Sequence, residues 1–158
     1  YLYVGRIAKE KGVDLFCKAI TDLKYKGIVV GDETEKEKLE KEYPDIEFTG
    51  WKNKDEVEKY MKGARALIFP SKWYETAGLT VLEAQTLGIP CVVNKSCAAS
   101  EFIQEGINGF LFGDIDNLKE KIINIENEKV KVLKNNEFIF GTEKYSNELI
   151  ETYGKIIE

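Results

Sequence analysis

With 158 residues, 43% of them hydrophobic, the chain is long enough for one domain with a real core, and no apolar run approaches the ~20 residues of a membrane-spanning helix. A formal net charge of −5 argues against a nucleic-acid-binding face, which carries a basic excess. Histidine is absent, so the chain offers no imidazole base or ligand, and Cys17, Cys91 and Cys97 lack metal spacing; they read as reduced thiols of a cytoplasmic protein, Cys17 and Cys91 as small core residues.

The chain opens on "YLYV" (1–4), a core strand with neither an initiating Met nor a signal-peptide pattern, which leads to the expectation of a domain from a longer protein. Apolar positions Val13, Phe16, Ala19, Ile20 and Leu23 then recur at helical spacing. After the strand "GIVV" (27–30), "ETEKEKLEKEY" (33–43) reads as a charged, solvated helix with i,i+4 pairs. The strand "IEF" (46–48) precedes a helix through Val57, Tyr60, Met61 and Ala64, whose start Asn53 and Glu56 mark as a capping box. Strands "ALIF" (66–69), "CVV" (91–93) and "GFLF" (109–112) follow, with a helix from Gly78 through Leu87 between the first two. Beyond Gly113 the pattern is helical, ending in an apolar stripe of Leu149, Ile150, Tyr153, Ile156 and Ile157. Strand and helix alternate throughout, a helix after every strand. The prediction is therefore an α/β fold: a doubly wound, parallel, six-stranded sheet with helices on both faces, in one domain over 1–158. Ligands of such sheets sit at the carboxyl ends of the strands, here the loops after Val4, Val30, Phe48, Phe69 and Val93.

Two of those loops carry chemistry. "VGRIAKEKG" (4–12) puts Gly5 at a tight turn and then Arg6 and Lys11 near the mouth of the sheet. Arginine is the better fork for phosphate oxygens; the alternative is a solvated basic loop. "PSKWYETAGLTVLEA" leaves the fourth strand, and its Gly78 opens a helix. Helix N-termini present unpaired N–H groups and partial positive charge, and glycine admits a phosphate close to the backbone, so Gly78, Leu79 and Thr80 form a candidate anion seat. Glu83 lies about 7.5 Å further along the axis at 1.5 Å per residue, and helical side chains lean back towards the N-terminus. Glu75 precedes the seat. Carboxylates repel phosphate, so each suits hydroxyl groups on either side of a diphosphate, the layout of a nucleoside diphosphate sugar. The competing reading is a pair of exposed carboxylates without a role. Trp51, Trp73 and Tyr74 are either substrate platforms or packing residues.

Taken together, "GRIAKEKG", "FTGW" (48–51), "FPSKWYETAGLTVLEAQTLGIPCVV" (69–93) with its E-x7-E spacing, and "EFIQEGINGFLF" (101–112) resemble the C-terminal, donor-binding domain of a GT-B glycosyltransferase of the retaining group 1 (family 4) type. The resemblance implies that Arg6 and Lys11, with Gly5, bind the donor diphosphate and that Glu83 binds the ribose. It implies that Glu75 and the backbone of Thr76, Ala77, Gly78 and Leu79 address the transferred sugar and its phosphate, and that Gly50 and Trp51 border the base. One departure stands out: the family's Gly-Gly-x-Pro-Glu turn after the fifth strand is replaced by "NKSCAASEF" (94–102), which keeps Glu101 alone.

The implied activity is transfer of a hexosyl group, mannosyl or glucosyl, from a nucleoside diphosphate sugar to an acceptor hydroxyl, with no cofactor and no metal. The acceptor, whether glycan, lipid or small molecule, would be held by an N-terminal domain outside this chain, and any membrane association would come through that part. Two other expectations remain: a relative acting as a phosphorylase or nucleotide-sugar epimerase, and a non-catalytic nucleotide-binding module.

Overall fold

The computed structural model describes residues 1–73 and 78–127. They form strands β1 (Leu2–Val4), β2 (Ile28–Val30), β3 (Glu47–Phe48), β4 (Leu67–Phe69), β5 (Cys91–Asn94) and β6 (Gly109–Phe112), with helices α1 (Val13–Leu23), α2 (Lys36–Glu42), α3 (Lys54–Lys62), α4 (Leu79–Thr86) and α5 (Ile115–Glu126). The sheet has the order β3-β2-β1-β4-β5-β6, and every neighbouring pair is parallel. The expected α/β fold is therefore the observed one.

Alternation along the strands sorts the core into two layers. Tyr3, Val29, Ile68 and Val92 face α1, α2 and α5 through Phe16, Ile20, Leu39, Leu118 and Ile122. Leu2, Val30, Leu67, Phe69 and Val93 face α3 and α4 through Met61, Val81 and Ala84. Burial of a side chain of this size contributes about 1.5–3 kcal/mol, so both layers hold the strand ends in place. Cys17 and Cys91 lie one in each layer, fully buried as expected. Loss of water pushes the Cys17 thiol up to about 12 and raises that of Cys91 as well.

Local chemistry sets the element ends. Asn53 and Glu56 form the expected capping box, each side chain accepting the other's backbone N–H at 3.0 Å. The charged helix after β2 begins only at Lys36, because Glu33 has φ +134°, outside helical geometry, and donates its N–H to the Asp32 carboxylate. No α-helix follows β5 directly, contrary to the regular alternation expected. That connection, described throughout, holds a 3₁₀ turn, Ala98–Phe102. Asn94 and Asn108 organise it through side-chain amides, which take the N–H groups of Ser96 and Gln104 out of helical bonding. The apolar stripe at Leu149 to Ile157 lies outside the described residues.

Candidate functional site

The chain leaves β1 for the β2-β3 side of the sheet, while β4 starts the opposite half. The loops after Val4 and Phe69 diverge at this switch point, which is where doubly wound sheets open a crevice. The loops around the crevice are tied together by backbone. Lys72 N–H donates to the Glu10 carbonyl at 2.9 Å, and Gly12 packs directly on the Pro70 carbonyl. On the other side Ile7 N–H reaches the Asp32 carbonyl at 3.0 Å, Glu35 N–H the Ile7 carbonyl at 3.1 Å, and Gly31 N–H the Gly50 carbonyl at 3.0 Å. Four strand-end loops thus form one frame. Gly50 belongs to that frame.

Against the frame lies a cleft of 240 Å³ lined by Gly5, Arg6, Lys11, Ser71, Gly78 and Thr80, among others. Gly78 caps α4 with φ +59°, and a Cβ there would collide with the Ala99 methyl of the 3₁₀ turn. Only glycine meets both demands. The glycine has no side-chain oxygen to cap α4, and the helix has no acidic residue in its first turn to offset its positive end. Leu79 is 67% exposed at the rim of the same cleft, so it contributes backbone rather than core. The "NKSCAASEF" stretch acts here, since its Ala99 buttresses Gly78 from behind.

Arg6 reaches the cleft from a loop held by Tyr3, whose hydroxyl donates to the Arg6 carbonyl at 2.7 Å. Its guanidinium is not a bare cation. Nη1 donates to both Glu33 carboxylate oxygens at 3.1 Å, and Nη2 to Glu10 at 3.4 Å. Lys11, at the end of the short 3₁₀ turn Lys9–Lys11, lines the cleft with it.

Two further cavities adjoin. One, of 550 Å³, is walled by Gly5, Arg6, Asp32, Glu33, Trp51 and Lys52, and Trp51 is 73% exposed above it. The other, of 520 Å³, is walled by Lys52, Lys54, Val57, Glu83 and Leu87. Val4 borders all three spaces, and Lys52 and Val57 border the latter two. Glu83 is exposed in this third space, which two lysines also line, and is not part of the wall around Gly78. The sequence thus brings Gly5, Arg6, Lys11, Gly78, Leu79 and Thr80 to one cleft, with Trp51 and Glu83 in adjoining ones. Glu75, Thr76 and Ala77 lie outside the described residues.

Sequence reasoning missed Glu33, Asp32, Lys52 and Ser71. Ser71 is 2% exposed and lines the Gly78 cleft; its place directly after a strand-ending proline was the signal for it. Glu33 had none, sitting in a run of acidic residues that reads as a solvated helix.

A family model described as "Glycosyl transferases group 1" matches residues 1–145. The sulfoquinovosyl transferase SQD2 of Arabidopsis thaliana is 35% identical over 77% of this chain and 25% of its own length. Among solved structures, the lipopolysaccharide outer core galactosyltransferase WaaB superposes with a TM-score of 0.81 at 22% identity, over 98% of this chain and 48% of that one. Anabaena Alr3699/HepE, solved in complex with UDP and glucose, gives a TM-score of 0.79 at 20% identity, over 97% of this chain and 47% of that one. The chain spans less than half the length of each of these relatives.

Proposed function

The chain belongs to the group 1 glycosyl transferase family, and from that premise we propose that it is the donor-binding half of a retaining glycosyltransferase. Its substrate is a nucleoside diphosphate sugar, whose hexosyl group passes to an acceptor hydroxyl held by a second domain outside this chain. The observation that carries the reading is the single cleft in which the α4 terminus at Gly78 meets Arg6 and Lys11. In the reaction the bond from the anomeric carbon to the diphosphate oxygen breaks and the bond to the acceptor oxygen forms. The acceptor's proton leaves with the nucleoside diphosphate or passes to solvent. Negative charge grows on the leaving diphosphate as the first bond breaks. Two side-chain cations and the helix end, carried on loops that the backbone frame ties together, stabilise it. The UDP in the HepE structure supports the ligand class by analogy.

On this reading Trp51 borders the base, Glu83 takes the ribose hydroxyls, and Glu75 takes the sugar. The protein works in the cytoplasm, and no metal is needed because the cations at the cleft carry the charge. Among the described residues no helix is long and apolar enough to cross a membrane.

Calorimetry of this chain with UDP, GDP and ADP, followed by a transfer assay of the full-length protein in EDTA, tests the proposal. Binding of one nucleoside diphosphate, no transfer by the chain alone, and chelator-resistant transfer by the whole protein are expected. Failure to bind all three nucleotides overturns the donor role. Loss of activity in EDTA, restored by a divalent ion, overturns metal independence.

A further inference from the structure

The cation best suited to hold a diphosphate is already held by the protein's own carboxylates. Both Glu33 carboxylate oxygens accept from Arg6 Nη1 at 3.1 Å and Glu10 accepts from Nη2 at 3.4 Å, so the two end nitrogens with which a guanidinium grips a phosphate are already engaged. The same nitrogens cannot serve both partners fully. Glu33 is placed there at a cost, for it adopts φ +134° without being glycine. Backbone strain of this kind persists only where the surroundings over-determine it. The surroundings here are specific. Asp32 accepts the Glu33 N–H at 2.9 Å, and the loops carrying Arg6 and Glu33 are joined on either side by the Ile7–Asp32 and Glu35–Ile7 backbone bonds. Arg6 and Glu33 line one cavity, so the carboxylate can withdraw from the guanidinium and remain in solvent-accessible space.

We propose that Glu33 is an internal competitor of the diphosphate for Arg6: a positioning residue that keeps the guanidinium oriented and is displaced when the anion arrives. The proposal rests on the donor-half reading above and adds to it a device that weakens retention of the nucleoside diphosphate product. Because the Arg6 side chain is 58% exposed and that of Glu33 38%, solvent screens the pair and the effect is modest.

Calorimetry on the full-length protein decides it, with inorganic pyrophosphate as the probe and UDP, GDP and ADP in parallel. Glu33→Gln is expected to tighten pyrophosphate about two- to fivefold, the range of an exposed ion pair. In an Arg6→Gln background the same substitution should change nothing measurable. Glu33→Gly adopts positive φ without strain, so it should keep or raise the melting temperature and show the same tightening. Weaker or unchanged pyrophosphate binding in Glu33→Gln overturns the proposal, as does equal tightening in the Arg6→Gln background, which would mean a general field effect. No pyrophosphate binding by either the wild type or Glu33→Gln also overturns it. Arg6-dependent tightening of pyrophosphate without binding of any nucleotide leaves the competition standing and removes the donor-half reading instead.

Discussion

The two sides of the Gly78 cleft supply positive charge by different means. On one side the α4 terminus presents backbone, locked by a left-handed glycine wedged against Ala99. On the other, Arg6 presents a side chain, exposed and shared with Glu33 and Glu10. The first contribution is built into the backbone, and Gly78 brings no capping side chain of its own; the second is a flexible side chain and contested. Electrostatic preorganisation is worth most when it costs no rearrangement, so the helix side should carry the larger part of affinity for a diphosphate.

The sharpest way to break that comparison is Gly78→Val. A β-branched residue in the left-handed region, together with overpacking against Ala99, should cost about 2–5 kcal/mol, or roughly 5–15 °C in Tm for a domain of this size. Diphosphate binding should fall by more than about tenfold even at temperatures where the variant stays folded. Thermal denaturation and calorimetry read both. A variant of wild-type stability and affinity would show that the α4 terminus is neither tightly built nor used.

Next in size are Arg6→Ala and Lys11→Ala. A charge-assisted contact is worth roughly 1.5–3 kcal/mol, about 10- to 100-fold in affinity. Arg6 must be drawn away from Glu33 and Glu10, which puts it nearer tenfold. Both variants should lose affinity for the nucleoside diphosphate and keep it for the bare nucleoside. Equal losses on both ligands would mean that the loop only supports the fold.

The same contrast accounts for how much could be read from the sequence. The backbone side was legible, because a glycine that opens an apolar helix just beyond a strand marks a left-handed cap with exposed backbone N–H groups. The sheet was legible on similar grounds: short β-rich runs alternating with amphipathic helices admit few architectures. The contested side was legible only in part. Arg6 and Lys11 were identifiable by their place after a strand-ending glycine, but the partners of Arg6 were not. Glu33 is one carboxylate in a charged stretch, and its pairing depends on a positive φ that no local pattern announces. The turn after β5 was misjudged because side-chain amides of Asn94 and Asn108, not helical propensity, decide its course.

Glu83 lies outside the cleft wall, so its substitution tests whether the diphosphate site and the adjoining space are occupied by one molecule. Glu83→Gln keeps the shape, and α4 should lose little stability because the side chain is exposed. If Glu83 accepts ribose hydroxyls, nucleoside diphosphate and bare nucleoside should both weaken by about tenfold, the lower end for a hydrogen bond to a charged group. Pyrophosphate affinity should stay unchanged. Tighter pyrophosphate binding, with the nucleoside unaffected, would place Glu83 beside the anion rather than the sugar ring.

The smallest expected effect belongs to Trp51, and it separates the two kinds of contact most cleanly. Its ring is exposed above the 550 Å³ cavity that also holds Arg6, on the chain just after the frame residue Gly50. An exposed side chain contributes little to folding, so Trp51→Ala should move stability by less than about 0.5 kcal/mol. Stacking of a base on an aromatic ring is worth about 1–3 kcal/mol, and a rim position open to water takes the lower end, about fivefold in affinity. Unlike Arg6→Ala, this variant should weaken nucleoside and nucleoside diphosphate by the same factor, since the base is common to both. Trp51→Phe should recover most of the loss because the π-face remains. Calorimetry with both ligands on the three proteins gives the result directly. A selective loss of the diphosphate form would mean that Trp51 positions the loop carrying the charge instead of meeting the base, and the division between a charged cleft and a neighbouring base site would fall.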